Sequence, residues 1–419
     1  MLKRMFIALL TLSLLAAPMV FAGGQQEAEE TELEIFSWWT AGGEADGLEA
    51  LFDIYRDLYP DVEVVNAAVA GGAGTDAQAV LATRLQGGDP PESFQVHAGE
   101  TLLDTYVRPG LMEPVTFLYD EHGWWDVIPE GLIDLISVDG EVYSVPAGIH
   151  RSNVMWYNQA IFDEHGIEAP TTIEEAFEVA EALAEAGVTP FALGDTNTWP
   201  ATHLFESLLL AELGPDDYAG LWTGDVAWDH DGVVSALEIL DEMLEYVNSD
   251  HAALTWDEAA GYVADGTAAM TVMGDWAQGF FTAEGLEPGV DYGWAPTPGT
   301  EGSFLLVSDT FGLPQGATNR ENAIRWLEVV GSVEGQDAFN PLKGSIPPRT
   351  DTNRDLYDEY LQSAMADFEQ DAIAPSVAHG AAASEAWADD MNSIMSFFVS
   401  ERDVEATVQS LVDAAMDNL

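Results

Sequence analysis

The chain predicts an α/β protein of two lobes, each a sheet flanked by helices, joined by extended hinge strands. Three observations predict it. The 419 residues exceed what one hydrophobic core usually organises. Short apolar runs alternate with helical periodicity through both halves. In each half, a strand runs into tryptophan: Trp38-Trp39 early, Trp276 late. Ligands in open α/β sheets gather at the carboxyl ends of strands. Two halves that both place flat aromatic rings there predict one ligand held between lobes.

The elements follow in order. Met1 to Ala22 reads as an export signal, with basic Lys3 and Arg4, an apolar segment from Met5 to Leu15, and Val20-Phe21-Ala22 as cleavage site. Residues 23–32 read as an acidic flexible tether. Leu33 to Trp39 is a short apolar run read as the first strand, ending in the two tryptophans. Because neighbours on a strand face opposite ways, one of Trp38 and Trp39 is expected in the core and one in the cleft. A helix runs through Leu48, Leu51, Phe52, Tyr55 and Leu58, then a strand from Val62 to Val69. Gly72, Gly74 and Ala77 imitate a dinucleotide fingerprint, but they follow the second strand and lack the acidic partner, so that reading is rejected. After a helix through Val80, Leu81 and Leu85, Ser93–His97 is a third strand, its end beside the tryptophans. Gln95 and His97 share one face of it and can both reach a ligand stacked there.

Helical sequence continues to Ile136, Asp139-Gly140 makes a turn, and the chain crosses between lobes near Val145. Beyond Pro170 helices dominate, the first capped by Thr171 or Thr172 with Glu174 and Glu175. Pro190–Leu193 reads as a strand and Asp195–Thr202 as a polar loop. Thr255 caps a helix opened by Trp256 and ended near Gly266; Ala268–Met273 is a strand with Gly274-Asp275-Trp276 at its end. Ser303–Val307 crosses back, placing Asp309 near the hinge. The prolines between Asn340 and Arg349 predict a third, extended crossing. Helices then finish the chain, interrupted by Pro375–Gly380 with His379. The lobes are accordingly read as 33–144 plus 308–345, and 145–307 plus 346–419.

Composition narrows the partners. Twelve Lys+Arg against 74 Asp+Glu give a net charge of −62, which excludes nucleic acid and anionic membrane surfaces and suits strong salt. Lysine occurs only at Lys3 and Lys343, so Lys343 alone survives in residues 23–419 and is a candidate for a specific role. With no cysteine there is no disulfide, no thiolate metal site and no atom for a lipid anchor; the expected location is exported, periplasmic or extracellular. Nucleophile-elbow, zincin, P-loop and EF-hand patterns are missing from the sequence. A glycoside hydrolase needs only two carboxylates at a fixed separation, and stays open as the competing class. A metal- or amino-acid-binding protein would want a histidine cluster or a basic clamp, which the sequence does not offer.

Taken together, Glu34–Trp39, Gly87–Pro91, Phe94–Gly99, Ile149–Tyr157, Met273–Ala277, Trp294–Pro296, Pro298–Thr300, Ser308-Asp309, Phe339–Ile346 and His379-Gly380 resemble the sugar-specific extracellular solute-binding proteins (family 1) of bacterial ABC importers. They are most like the glucose/galactose-binding members. The resemblance implies the two-lobe type II periplasmic-binding-protein fold, closing by hinge motion on one monosaccharide. It implies no catalysis, no cofactor and no metal, ABC permease subunits as membrane partners, and a monomer. Residue by residue it implies sugar contacts from Trp38, Trp39, Gln95, His97, Trp256, Trp276, Asp309, Lys343 and His379. Glu44 and Trp199 lie where the sequence departs from the family's pattern and are secondary candidates.

Overall fold

In the computed structural model, residues 32–70 and 75–419 are described. The signal segment, nearly all of the tether, and the Gly71–Gly74 loop lie outside them. β1 (Glu32–Phe36) buries Leu33, Ile35 and Phe36, as an inner parallel strand must. The helix Gly42–Leu58 returns across the sheet, burying Leu48, Leu51, Phe52 and Tyr55 at helical spacing. β2 (Glu63–Asn66) pairs parallel on one edge of β1, and β3 (Ser93–His97) on the other. The third strand therefore ends beside the tryptophans. A small hairpin of β4 (Ser137–Val138) and β5 (Glu141–Val142) turns at Asp139 and Gly140, whose φ of 54° and 83° fit a type I′ turn.

β6 (Ser144–Arg151) then carries the chain out of the first lobe, and β7 (Val154–Asn158) enters the second after two residues. β8 (Thr189–Phe191), β9 (Ala268–Val272) and β10 (Tyr292–Pro296) complete a second sheet in the order β10-β7-β9-β8. The long β11 (Ser303–Gly312) returns antiparallel to β6. Its first residues pair with β12 (Ala372–Pro375) and its last with β3, so it bridges the two halves. Two large apolar clusters are built on these sheets. The first, on Ile35, Phe52, Phe94 and Phe311, extends through Trp156 and Tyr292 into the second sheet; the other is built on Phe162, Leu208, Leu237, Met270 and Met391.

Two expectations need correction. The helix Val333–Lys343 continues through Pro341, so only the residues after it form the third crossing, where Ile346 pairs with Ile149. Proline in a last turn forfeits one helical N–H. Asn340 beside it ties this last turn to β6 and to the crossing, donating to Ala147 and Gln336 carbonyls at 3.0 Å each and accepting from Ser345 at 2.6 Å. The supposed polar loop 195–202 is half helix: Trp199 opens a helix reaching Thr223, kinked at Gly214. Pro200 sits in its first turn, where no N–H is needed, and is a helix start signal that the polar-loop reading did not use.

Candidate functional site

Between the lobes lies a cavity of about 470 Å³ lined by Trp38, Trp39, Glu44, His97, His150, Trp199, Trp256, Trp276, Asp309, Lys343 and His379, among others. All the singled-out residues except Gln95 reach it. Each arrives by a simple local device. Trp38 and Trp39 follow β1; both are buried, at 8% and 1% exposure, and both face the cavity, so the expected division into one core and one cleft residue fails. The reason is that β1 ends at Phe36, and strand alternation no longer governs the pair. Trp39 packs on Phe311 and Phe339 with ring centres 5.6 and 5.1 Å apart, and Trp38 meets His97 edge-on at 5.0 Å.

Asp309 sits mid-strand in β11, opposite His97, where the register with β6 shifts between Asp309 and Thr310. Such irregularities re-aim a side chain. Its Oδ1 accepts from Gln95 Nε2 at 2.9 Å and lies 3.4 Å from His97 Nε2. Its Oδ2 lies 3.1 Å from His150 Nε2 and 3.9 Å from Lys343 Nζ. Burial pushes this carboxyl up, but His150, Lys343 and His97 outweigh it and hold it well below the usual carboxylate range. Gln95 stands one layer behind the wall, its Oε1 accepting from Trp38 N at 3.3 Å, so both ends of its amide are engaged.

Lys343 ends its helix, where a cation complements the exposed carbonyls, and Gly344 with φ of 79° stops the helix there. Its ammonium is 3.2 Å from Glu44, which stands in the first turn of the Gly42–Leu58 helix, and 5.6 Å from the Trp39 ring. The close approach of these helices needs Gly43, where a Cβ would fall 2.2 Å from the Leu342 carbonyl. Burial raises the Glu44 carboxyl despite Lys343 beside it.

The second lobe supplies the opposite wall. Trp276 begins a helix just past β9 and meets His379 at 4.8 Å, His150 at 5.6 Å and His203 at 5.7 Å. Trp199 joins this group, and its Nε1–H is buried without a partner among the described residues. Trp256, half-buried, opens a helix whose N-cap is closed by Glu258 bonding the Thr255 N–H at 2.9 Å. His379 rides a turn after β12 that Glu206 clamps. The Glu206 carboxylate accepts from Ser376 Oγ at 2.8 Å, Val377 N at 2.8 Å, Ala378 N at 3.1 Å and Ser152 Oγ at 3.2 Å. Burial holds both His203 and His379 neutral, the former pushed down to about 3, and His97 down to about 4.

His203, Glu206 and His379 are a group whose ligand atoms could hold a metal ion, all within 4.8 Å. Their arrangement is already accounted for by the clamp: the lone pairs of Glu206 are committed to four donors, and His203 Nδ1 bonds Ser152 at 3.1 Å and His379 at 3.3 Å. Glu206 and His150 were missed from sequence. The available signal was polarity inside elements buried throughout, since a histidine in the fully buried β6 must find partners.

Known proteins fit this architecture. A family model, bacterial extracellular solute-binding protein, matches residues 33–337. An uncharacterised ABC-transporter extracellular-binding protein of Pyrococcus horikoshii is 41% identical over 93% of this chain and 88% of its own. A xylose/arabinose-binding protein of Haloferax volcanii is 29% identical over 93% and 86%. Among solved structures, the bacterial solute receptor AcbH, described with an exclusive preference for β-D-galactopyranose, superposes with a TM-score of 0.82 at 20% identity, covering 93% and 98% of the two chains. The two-lobe fold is thereby shared with solved solute-binding proteins, and the hydrolase alternative loses its footing. The chain belongs to the bacterial extracellular solute-binding proteins, a family that captures solutes rather than transforming them.

Proposed function

We propose that the solute is a neutral monosaccharide of the glucose/galactose type, delivered by a monomeric binding protein to the membrane subunits of an ABC importer. One observation carries this reading: the buried charges of the cavity are paired with one another, inside walls of tryptophan. Lys343 faces Glu44 and Asp309, and Asp309 faces His150 as well. An anionic solute would meet no uncompensated partner, and the two further carboxylates that line the cavity, Asp257 and Glu284, are half-buried and exposed rather than buried. A neutral sugar would gain charge-assisted hydrogen bonds to its hydroxyls from Asp309 and Lys343, and ring contacts from Trp38, Trp39, Trp256 and Trp276. Gln95 supports the site by orienting Asp309, while His97 and His379, both neutral, can each donate and accept. Closure would swing 145–307 with 346–419 against 33–144 with 308–345.

The cavity volume favours a second reading, a small oligosaccharide. A hexose takes the room of roughly six waters, about 180 Å³ at about 30 Å³ each. The cavity holds about 470 Å³. Trp256 and Asp257 line the same cavity and could border a further ring. A thermal-shift panel in strong salt separates the readings, because a ligand at 100 times its Kd stabilises by about 2.7 kcal/mol. The first reading expects glucose or galactose to raise the melting temperature, and maltose to do so less. A shift with maltose alone supports the second. A shift with an amino acid and no sugar overturns both.

A further inference from the structure

We infer that His150 is the positioning residue of this cavity: it stands as an imidazolium between Asp275 of one lobe and Asp309 of the other, and aims Asp309 at the solute. The ring lies on the crossing strand β6 and is buried, with 1% exposure. Its Nδ1 faces Asp275 Oδ1 in a short contact, and its Nε2 faces Asp309 Oδ2 at 3.1 Å. A neutral imidazole carries one N–H only. Either neutral tautomer would turn a nitrogen lone pair toward a buried carboxylate. The doubly protonated ring donates to both.

The rest of each carboxylate is tied to scaffold. Asp275 Oδ2 accepts from the Arg151 N–H at 2.9 Å, and Asp309 Oδ1 from Gln95 at 2.9 Å. Asp275 is also the residue preceding the helix that Trp276 opens, and the Trp276 ring meets the imidazole edge-on. One side chain thus links the aromatic wall of the second lobe to the acceptor group of the first. Both ends of the clasp are elements that meet the proposed solute.

The charged and titratable groups facing the ring are Asp275, Asp309, Lys343, His97, His379 and Glu44. Burial and Lys343 disfavour the imidazolium; Asp275 and Asp309 outweigh them, leaving His150 raised above its ordinary 6.5. His97 and His379 are shifted the other way and stay neutral through that range. For a raised histidine, what the charge supports is complete below about 6.5 and is lost as pH climbs through the folded-state value. Alkaline pH, not acid, should therefore loosen Asp309.

The inference concerns the sugar site proposed above, so its test has one arm that needs no sugar. Residues 23–419 carrying ¹⁵N-histidine are followed by NMR in strong salt from about pH 6 to pH 10, with His150 assigned by its loss in His150→Gln. Glucose affinity is measured over the same range for the parent, His150→Gln and Asp275→Asn. Expected are two protonated ring nitrogens at pH 7, glucose affinity that falls at least tenfold as His150 deprotonates, and an Asp275→Asn protein in which that step moves to lower pH. His150→Gln should bind at least tenfold more weakly at pH 7 with no such step. Should His150→Gln fail to fold, assignment and the comparison rest on Asp275→Asn. If the parent ignores glucose, the sugar reading fails while the NMR arm still decides: a doubly protonated ring sustains the inference. An unprotonated ring nitrogen at pH 7 overturns it, as does a His150→Gln protein that binds glucose within twofold of the parent with the same pH profile.

Discussion

Replacing Lys343 by methionine removes one charge while keeping most of the stem that fills the site. The ammonium is almost wholly buried and has three neighbours: Glu44 at 3.2 Å, Asp309 at 3.9 Å and the Trp39 ring at 5.6 Å. Folding should suffer little. A quarter of the Glu44 side chain is exposed, and its carboxyl, already raised by burial, can take up a proton once the ammonium is gone, which limits the cost of the lost pair. Asp309 keeps its bonds from Gln95 and His150. Ligand binding should suffer more, because a hydrogen bond from a charged donor contributes about 1.5–3 kcal/mol. At 1.4 kcal/mol per tenfold, that is a loss of about 10- to 140-fold in Kd. The assay is calorimetric titration with glucose, paired with thermal unfolding of the same preparation. Affinity within twofold of the parent would refute the assignment of Lys343 to the solute. A folding defect with intact affinity would make the residue structural.

Trp276→Ala should lower sugar affinity by at least ~1 kcal/mol, since it removes a buried ring facing the solute; fluorescence titration measures it. Asp309→Ala should cost at least as much, and unchanged binding in both variants would sink the proposed site. Gly274→Ala should also weaken binding without touching the solute. A Cβ there would lie 2.2 Å from the Trp276 ring, and relieving such overpacking costs about 1–3 kcal/mol and moves the ring. Glu206→Ala should destabilise the fold by about 1–3 kcal/mol, because the Val377 and Ala378 N–H groups would lose the one oxygen that accepts both, whereas Glu206→Gln can keep that oxygen and should cost less. The Gln variant carries a pH signature. Burial pushes Glu206 up from 4.5 to about 7, so its protonated form is favoured in the folded state. Its contribution to stability therefore falls as pH rises from 4.5 to about 7, and denaturant titrations across that window should lose this slope in Glu206→Gln.

Most of the scaffold could be read from the chain, and the reasons differ by element. β3 and β9 announced themselves as short apolar runs ended by polar or glycine-bearing sequence, β1 as a run ended by tryptophan, and the Thr255–Gly266 helix by a cap at each end. Lys343 stood out because composition had removed every other lysine from residues 23–419. Proline misled at Pro341 and went unused at Pro200, because its meaning depends on its position within a helical turn rather than on its presence. Trp38 and Trp39 were assigned by strand alternation two residues after the strand had ended. Polarity inside otherwise apolar elements marked Glu206 and His150 only as groups in need of partners, and did not say which, since those partners lie more than a hundred residues away along the chain: Ser376 and Val377 for one, Asp275 and Asp309 for the other.

The measurement that bears most directly on the account is calorimetric titration of residues 23–419 with glucose and galactose in strong salt, with xylose, mannose, maltose and a free amino acid alongside. The account predicts saturable binding of one hexose per chain, with the sugar recovered unchanged. Silence toward every monosaccharide, binding of a charged solute instead, or release of a hydrolysis product from a glycoside would contradict it.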